Sequence, residues 1–352
     1  MSEMSSFKLS GIAVPSNAAD MLNEICEHFV EHAEVERIGD LALLRSNFGL
    51  AHIRIDAGRL SIDLQCPTAE ALQMSRTNLA EHLFYFAKDQ PFELTWSEPT
   101  CLPAVPNLHE VTVVSAEDVT PYMRRIIFSC ADVTPFIDDD MHVRLLVPPK
   151  GKTPVWPGFR EDGRIAWPEG EDELLVRVYT IRAVDVDRGE LWIDFLQHPA
   201  PNVATPGADF ARNAQPGDVA ALLGPGGGSL PSADSILFIG DESALPAIAR
   251  IVTEVPPRTR MQAIIEVRNK AEEQPLPTRG ILDVRWLHRD ANGEHAVRSL
   301  LVEAKKAIAT LEDGAFVWAA CEKDDIRAIR TCLKARQHDR KKMYVAWYWE
   351  RL

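Results

Sequence analysis

Cysteine is scarce and scattered in this sequence, which has six cysteines among 352 residues and no C-x-x-C pair. This spacing argues against an iron–sulfur cluster, a structural zinc site and a disulfide framework, all of which need clustered thiols. Long apolar runs are also missing, since no stretch reaches the roughly 18 apolar residues of a membrane-spanning helix. The start of the chain lacks the basic-then-apolar pattern of a secretory signal. We therefore expect a cytoplasmic protein without membrane insertion or bound metal.

Basic residues are outnumbered, because 38 Lys and Arg stand against 52 Asp and Glu and give a formal net charge of −14 at pH 7. Such an excess of negative charge disfavours nucleic acid and anionic membranes as partners. An anionic ligand would therefore have to be met by a local basic patch. The hydrophobic fraction of 46% is ordinary for globular proteins, and the length suggests two or three domains.

Three regions with different patterns follow one another along the chain. Residues 1–98 combine amphipathic helices with short strands, which predicts a small α+β domain, and residues 99–107 form a proline-rich linker. Short β-branched segments within residues 108–228 predict a small antiparallel β-barrel. In residues 229–352 strands alternate with helices, which is typical of a doubly wound parallel sheet.

One strand-like segment, "LLVRVYTIRAV", places an arginine among apolar residues. The two-residue period of a strand puts Arg177, Tyr179 and Ile181 on one face. A salt bridge, or an arginine that extends its charge to solvent, would explain this pattern. A site for a flat, phosphorylated cofactor would also explain it, with Arg177 neutralising a diphosphate, Tyr179 against the ring system and Thr180 bonding to the ring edge.

Five motifs in the second part of the chain carry a resemblance to a known family, namely "RVYTIR", "ELWIDFLQH", "QPGDVAALLGPGG", "GDESALPAIARI" and "VAWYWERL". Over about residues 108–352 the chain resembles the siderophore-interacting protein family of bacterial flavin-dependent ferric-siderophore reductases. The resemblance implies an antiparallel Greek-key barrel that binds FAD, as in ferredoxin reductases. It also implies a doubly wound α/β domain similar to NAD(P)-binding domains. Residues 15–97 resemble a small bacterial domain of unassigned function.

The resemblance further implies which residues surround the cofactors. The expected FAD ligands are Arg177, Tyr179, Thr180, Ile181, Asp194, His198, Thr205, Asp241, Ser243, Ala244, Tyr348 and Trp349. Contacts with the nicotinamide nucleotide are expected from Glu266, Arg268 and Glu322, at the ends of strands of the α/β domain. The arginine favours NADPH, whereas Glu266 would suit a ribose diol, so the choice between NADH and NADPH stays open. Solvated charges at the end of a strand explain these residues equally well.

Two stretches differ from familiar phosphate-binding patterns. Where the family usually has a Gly-Pro-Ala turn and then a tryptophan beside the diphosphate, this chain has Thr205-Pro206-Gly207 and Phe210. Backbone amides of such a turn can still bind an anion. The run "LGPGGG" lacks the Lys-Ser/Thr of a P-loop, and we interpret it as a hinge between the barrel and the α/β domain.

Basic residues gather near the C-terminus of this acidic chain. Arg340, Lys341 and Lys342 lead directly into the aromatic segment "MYVAWYWERL". Cations beside aromatic rings suit a bulky, flat anion, so these three residues are predicted to contact a ferric siderophore. A solvated helix face is the alternative. Where the family usually ends in Gly-Tyr-Trp-Arg, this chain has Trp347 and Glu350, which alters the rim of the site.

The function implied by the resemblance is the reduction of a ferric siderophore. Hydride would pass from NAD(P)H to FAD, and single electrons would then reduce Fe(III) so that Fe(II) is released. No side chain is needed as a nucleophile or general base, and none is predicted to be catalytic. Two alternatives stay open. One is a flavin-dependent reductase of flavins, quinones or electron carriers, and the other is a siderophore-binding flavoprotein without catalytic activity.

Overall fold

The computed structural model describes residues 6–30, 33–99, 104–137, 140–197, 205–290 and 299–351. The chain forms two compact units. Unit 1 comprises Met1–Leu108 and Val155–Leu174, and unit 2 comprises His109–Pro154 and Leu175–Leu352. Among the described helices, none has the length and apolar character that crossing a bilayer requires.

Unit 1 contains an α+β domain with a six-stranded antiparallel sheet and two helices. Its elements are β1 (Phe7–Val14), α1 (Ala18–Phe29), β2 (Glu34–Ile38), β3 (Leu41–Ser46), β4 (Gly49–Asp56), β5 (Arg59–Cys66), α2 (Ala69–Ala87) and β6 (Glu93–Trp96). The strands lie in the order β2-β3-β4-β5-β1-β6. Leu9 and Ala13 are buried between exposed neighbours in β1, and they share a core with residues of both helices. The alternation in the sequence therefore places one face of the sheet against α1 and α2.

A closed barrel of six antiparallel strands begins unit 2. The next elements along the chain are β7 (Leu108–Thr120), β8 (Met123–Cys130), β9 (His142–Val147), β10 (Gly158–Phe159), β11 (Ile165–Ala166), β12 (Leu175–Asp185), β13 (Glu190–Leu196), α3 (Pro206–Asn213) and β14 (Val219–Leu223). The barrel order is β12-β13-β8-β7-β14-β9. Ile126, Phe128 and Ile193 are fully buried in its core. This arrangement confirms the predicted barrel.

The β10–β11 hairpin belongs to unit 1, although it lies between two barrel strands in chain order. The hydroxyl of Thr77 donates to the carbonyl of Gly163 at 2.8 Å, and the indole of Trp96 donates to the carbonyl of Asp162 at 2.7 Å. No sequence pattern predicted this association. The connection that leads into β12 is therefore anchored in unit 1.

The α/β domain of unit 2 has a five-stranded parallel sheet. Its elements are β15 (Ser235–Asp241), α4 (Leu245–Glu254), β16 (Arg260–Val267), β17 (Ile281–His288), α5 (Ser299–Ala309), β18 (Phe316–Glu322), α6 (Lys323–Ala335) and β19 (Met343–Trp349). The order β17-β16-β15-β18-β19 changes direction between β15 and β18. Sheets of this kind bind ligands outside the carboxyl ends of the strands, at this switch point. We call that side of the sheet the carboxyl edge.

Buried polar contacts join the barrel to the α/β domain within unit 2. Arg250 of α4 is buried and donates to the carbonyl oxygens of Phe136 and Ile181. The carboxylate of Glu272 accepts a hydrogen bond from the hydroxyl of Thr120 at 2.5 Å. Because buried charges are costly without partners, these contacts fix the position of the barrel against the sheet.

Candidate functional site

Strand β12 carries the first group of the predicted site. Arg177 is exposed, and its described side-chain hydrogen bond goes to the carbonyl of Val176 at 2.8 Å. Among the residues that the structure describes, no carboxylate lies within ion-pair distance of this guanidinium. The described residues therefore give no support to an internal salt bridge, which was the simplest alternative. The cation is available for an anionic ligand.

Tyr179 is held in place beside this arginine. Its ring packs against that of Phe195, with the centroids 4.3 Å apart. Burial raises the pKa of the phenol to about 12, although Arg177 acts in the opposite direction. The hydroxyl reaches the first turn of α3, where a Cβ atom on Gly207 would overlap it. The glycine in the turn that begins at Thr205 therefore leaves the space that Tyr179 needs.

Gly207→Ala is expected to displace Tyr179 and to lower the free energy of unfolding by about 1–3 kcal/mol, the usual cost of overpacking. In a Tyr179→Phe background the hydroxyl is gone, so the same substitution should have a much smaller effect. Chemical unfolding of the wild type, the two single variants and the double variant measures this difference. An equal loss of stability in both backgrounds would show that the hydroxyl is not the obstacle.

Thr180 is buried within a hydrogen-bond network that the sequence did not reveal. Its Oγ1 lies 3.3 Å from Nδ1 of His142. Nε2 of the same ring lies 3.0 Å from the hydroxyl of Tyr348 and 3.3 Å from that of Tyr344. Burial lowers the pKa of His142 to about 4, so the imidazole is neutral near pH 7. A single histidine at the start of a strand gave no signal of this role.

Three further FAD ligands were predicted in the barrel, namely Ile181, Asp194 and His198. Ile181 is fully buried in the barrel core, and both its backbone N–H and its carbonyl bond within the protein. Both backbone groups of Ile181 therefore have partners in the protein, and its contact with a cofactor stays a prediction. Asp194 forms a bidentate ion pair with Arg125, with distances of 2.7 and 2.8 Å. Its carboxylate therefore orients that arginine, and His198 lies outside the described residues.

The carboxyl edge brings together residues from the two ends of the α/β domain. Asp241 is buried at the end of β15. Its carboxylate accepts hydrogen bonds from the hydroxyl of Ser243, from the backbone amide of Ser243 at 2.9 Å and from the indole of Trp349 at 2.7 Å. Desolvation outweighs these hydrogen bonds and raises the pKa of Asp241 to about 6. Ala244, which precedes α4, is fully buried. The loop after β15 and the C-terminal aromatic segment therefore meet at the carboxyl edge.

Each of the three predicted nicotinamide contacts has a partner inside the protein. Glu266 accepts a hydrogen bond from the hydroxyl of Ser299 at 2.6 Å, at the start of α5. Arg268 donates to Asp290 at 3.2 Å. Glu322 caps α6 by accepting from two backbone amides of its first turn. These side chains therefore stabilise the carboxyl edge itself, and a role in nicotinamide binding stays a prediction.

The basic residues near the C-terminus lie at the opposite edge of the sheet. Arg340, Lys341 and Lys342 form a short 3₁₀ turn immediately before β19, and Met343 pairs with the start of β18. A strand rises roughly 3.3 Å per residue, so β19 separates this turn from the carboxyl edge by about 20 Å. These three cations therefore lie away from the carboxyl edge, and their contact with a ferric siderophore stays a prediction.

Comparisons with known proteins agree with this geometry. The family model described as siderophore-interacting FAD-binding domain matches residues 112–229, and the one described as siderophore-interacting protein matches residues 233–352. A siderophore utilization protein from T. fusca, known from a crystal structure, is 32% identical, and the match covers 69% of this chain and 93% of that one with a TM-score of 0.55. The chain belongs to the siderophore-interacting protein family.

Two further proteins resemble this siderophore-interacting protein, one in sequence and one in fold. Ferric vibriobactin reductase from Vibrio cholerae is 29% identical over 239 residues, which is 66% of this chain and 86% of that protein. The ferredoxin-NADP+ reductase of Plasmodium falciparum is similar in fold alone, with 11% identity, coverage of 68% of this chain and 95% of that one, and a TM-score of 0.50. This likeness confirms the predicted ferredoxin-reductase-like fold. Residues 12–97 match a model described as an uncharacterized protein conserved in bacteria.

The residues of this siderophore-interacting protein fit the FAD that its barrel family implies. Arg177 offers a cation for the diphosphate, the ring of Tyr179 is fixed by packing, and the hydroxyl of Thr180 is held in a network. Gly207 leaves open the space around the phenol. Such a set of groups on one strand suits a flat, anionic dinucleotide. Within the described residues, no group of three or more His, Cys, Asp or Glu side chains is placed to hold a metal ion.

Proposed function

We propose that this protein is a cytoplasmic ferric-siderophore reductase that holds FAD on β12 and takes electrons from NAD(P)H. The observation that carries the proposal is the available guanidinium of Arg177 beside the packed ring of Tyr179. The name of the Vibrio cholerae relative, ferric vibriobactin reductase, supports the substrate class. Bound FAD would supply hydride acceptance and single-electron transfer, which suits the reduction of Fe(III) by a nicotinamide nucleotide.

The protein's own residues contribute binding and orientation in this proposal. Arg177 neutralises the diphosphate, Tyr179 lies against the ring system, and Thr180 bonds to the ring edge. Trp349 is anchored at the carboxyl edge by its hydrogen bond to Asp241. No nucleophile or general base is required, because reduction itself weakens the hold of hard oxygen ligands on the iron.

Two exposed tryptophans near the carboxyl edge are proposed to receive the ferric complex. Trp347 and Trp349 are 51% and 40% exposed. The ammonium of Lys323 lies 5.4 Å from the centre of the Trp347 ring, and the guanidinium of Arg351 lies 5.8 Å from that of Trp349. Aromatic faces with adjacent cations suit a flat, anionic siderophore complex. We call these four residues the Trp–cation surface.

Capture of Fe(II) during turnover tests the proposed function. The purified protein is incubated without oxygen with FAD, NAD(P)H, a ferric siderophore and a chromogenic chelator of Fe(II). We expect the ferrous complex to form only when protein, FAD, reductant and ferric siderophore are all present. Reduction of quinones or free flavins, but of no ferric siderophore, would favour a general flavin-dependent reductase. A protein that binds no flavin would refute both activities.

Removing the charges of the Trp–cation surface is expected to weaken substrate binding. Lys323→Gln combined with Arg351→Gln should raise the KM for an anionic ferric siderophore about fivefold to tenfold, with FAD content unchanged. The matched control is Lys341→Ala combined with Lys342→Ala, which removes the same charge at the opposite edge and should keep KM within about twofold. Steady-state kinetics of both double variants measure the difference. Equal increases in KM would show that overall charge, rather than this surface, attracts the substrate.

A further inference from the structure

We propose that His142 is a positioning residue of the flavin site, which fixes the Thr180 hydroxyl and connects it to the last strand of the parallel sheet. The inference rests on the proposed function, because it takes Thr180 as a contact of bound FAD. His142 begins β9, and the antiparallel register of β9 and β12 places it directly opposite Thr180. The side chain therefore starts from the strand that neighbours the proposed FAD ligands.

The imidazole of His142 bridges the barrel and the α/β domain. Nδ1 lies 3.3 Å from Oγ1 of Thr180 on β12, whereas Nε2 lies 3.0 Å from the hydroxyl of Tyr348 on β19. The rings of His142 and Tyr348 meet edge to face, with the centroids 5.6 Å apart. Nδ1 therefore contacts the barrel, and Nε2 contacts the α/β domain. A change at either end would be transmitted to the other through one rigid ring.

The glycine-rich run after β14 is shaped around this histidine. The amide of Gly226 donates to the carbonyl of His142 at 2.8 Å, and the amide of His142 donates to the carbonyl of Gly227 at 3.3 Å. Gly228 has a φ of +77°, and a Cβ atom there would overlap the imidazole. Glycine is needed because the backbone must pass this close to the ring. The run that we interpreted as a hinge therefore also holds His142 in position.

The surroundings of the ring keep it neutral. Desolvation is the largest influence and lowers the pKa of His142 to about 4, while Asp140 raises this pKa and Arg250 lowers it by smaller amounts. The two phenols that face Nε2 also have raised pKa values, chiefly because they are buried. His142 and the two phenols are therefore neutral near pH 7. The hydrogen bonds of this network can rearrange when the imidazole proton moves between Nδ1 and Nε2, without a change of charge.

The tautomer of His142 decides what the Thr180 hydroxyl can do. With the proton on Nδ1, the imidazole donates to Thr180 Oγ1, and the hydroxyl hydrogen is free to point towards a ligand. With the proton on Nε2, the hydroxyl donates to Nδ1, and its oxygen is free to accept. If the Thr180 hydroxyl faced N5 of a bound flavin, both arrangements would be useful, because N5 accepts a hydrogen bond when oxidised and its N–H donates one when reduced.

Two variants separate the two ends of the ring. His142→Gln keeps a polar group near the place of Nε2, and His142→Asn keeps one near the place of Nδ1. His142→Gln is expected to weaken FAD binding about threefold to tenfold, the effect of one hydrogen bond, and to shift the visible spectrum of bound FAD. His142→Asn should keep the affinity within about twofold. Fluorescence titration of the apoproteins with FAD measures both, and equal losses would overturn the proposal.

A Thr180→Val background distinguishes positioning from general packing. If His142 acts through the Thr180 hydroxyl, His142→Gln should change neither the FAD affinity nor the spectrum further in this background. A loss of the same size in both backgrounds would assign His142 a purely structural role. Wild-type protein that binds no FAD would refute the proposed function and this inference with it. Normal FAD binding by the wild type and by His142→Gln would refute the inference alone.

Discussion

Arg177→Ala is expected to raise the dissociation constant for FAD about 10-fold to 100-fold, because a charge-assisted hydrogen bond contributes roughly 1.5–3 kcal/mol. The free energy of unfolding of the apoprotein should change by less than about 0.5 kcal/mol. The two effects separate because the guanidinium is exposed and its described hydrogen bond goes to the carbonyl of the preceding residue. Fluorescence titration with FAD measures the first effect, and chemical unfolding measures the second.

Arg188→Ala is the matched control for this experiment. Arg188 is an exposed arginine at the turn between β12 and β13, where it lies 3.8 Å from Asp185. Its removal takes the same charge from the same hairpin, so the affinity for FAD should stay within about twofold of the wild type. A similar loss in both variants would indicate a general effect of charge. Unchanged FAD binding by Arg177→Ala would refute the assignment of Arg177 to the diphosphate.

Asp241→Asn is expected to change how stability depends on pH. Burial raises the pKa of this carboxyl from 3.8 to about 6 in the folded protein. The folded state therefore binds the proton more tightly than the unfolded state, and the free energy of unfolding falls as the pH rises from about 4 to about 6. A difference of this size corresponds to about 3 kcal/mol. Asparagine does not titrate, so the variant should gain up to this amount relative to the wild type between about pH 4 and pH 7.

Chemical unfolding of the wild type and of Asp241→Asn at several pH values measures this gain. The control is Asp290→Asn, because Asp290 is exposed and hydrogen bonds from Asn269 and Arg268 lower the pKa of its carboxyl. Asp290→Asn should therefore change the pH dependence of the free energy of unfolding in the direction opposite to that of Asp241→Asn. Parallel curves for the wild type and Asp241→Asn would show that Asp241 titrates like a solvated carboxyl.

The fold, and the position of the proposed FAD ligands on one strand, were predictable from local patterns. Alternation with a period of two identified the barrel strands, and alternation of strands with helices identified the parallel sheet. The same period placed Arg177 and Tyr179 on one face of β12, and Thr180 follows Tyr179 directly. Each of these conclusions depends on residues close together in the chain, which is why the sequence alone supported them.

The contacts that the sequence did not reveal join distant parts of the chain. His142 meets Tyr348, which is 206 residues away, and the hairpin residue Asp162 bonds to Trp96 at a separation of 66 residues. Glu266 of β16 likewise accepts a hydrogen bond from Ser299, which begins α5 and lies 33 residues further along the chain. Local periodicity reports which face of a strand is buried, and it carries no information about which distant side chain completes a hydrogen bond.

The basic turn before β19 shows what the direction of a strand adds to a charge pattern. Its charge and aromatic neighbours led us to predict that Arg340, Lys341 and Lys342 contact a ferric siderophore. Yet a turn that precedes a parallel strand must lie at the amino end of that strand, away from the edge where such sheets bind ligands. The direction of β19 could have been used at the sequence level, because the alternation of strands and helices already predicted a parallel sheet.

An anaerobic absorbance titration tests the central claim most directly, namely that this protein passes electrons from NAD(P)H through FAD to a ferric siderophore. We expect the purified protein to be yellow, to lose its visible flavin absorbance on addition of NAD(P)H, and to regain it when a ferric siderophore is added. Fe(II) should appear in the same step. A colourless protein that takes up no FAD, or a reduced flavin that no ferric siderophore reoxidises, would contradict the account.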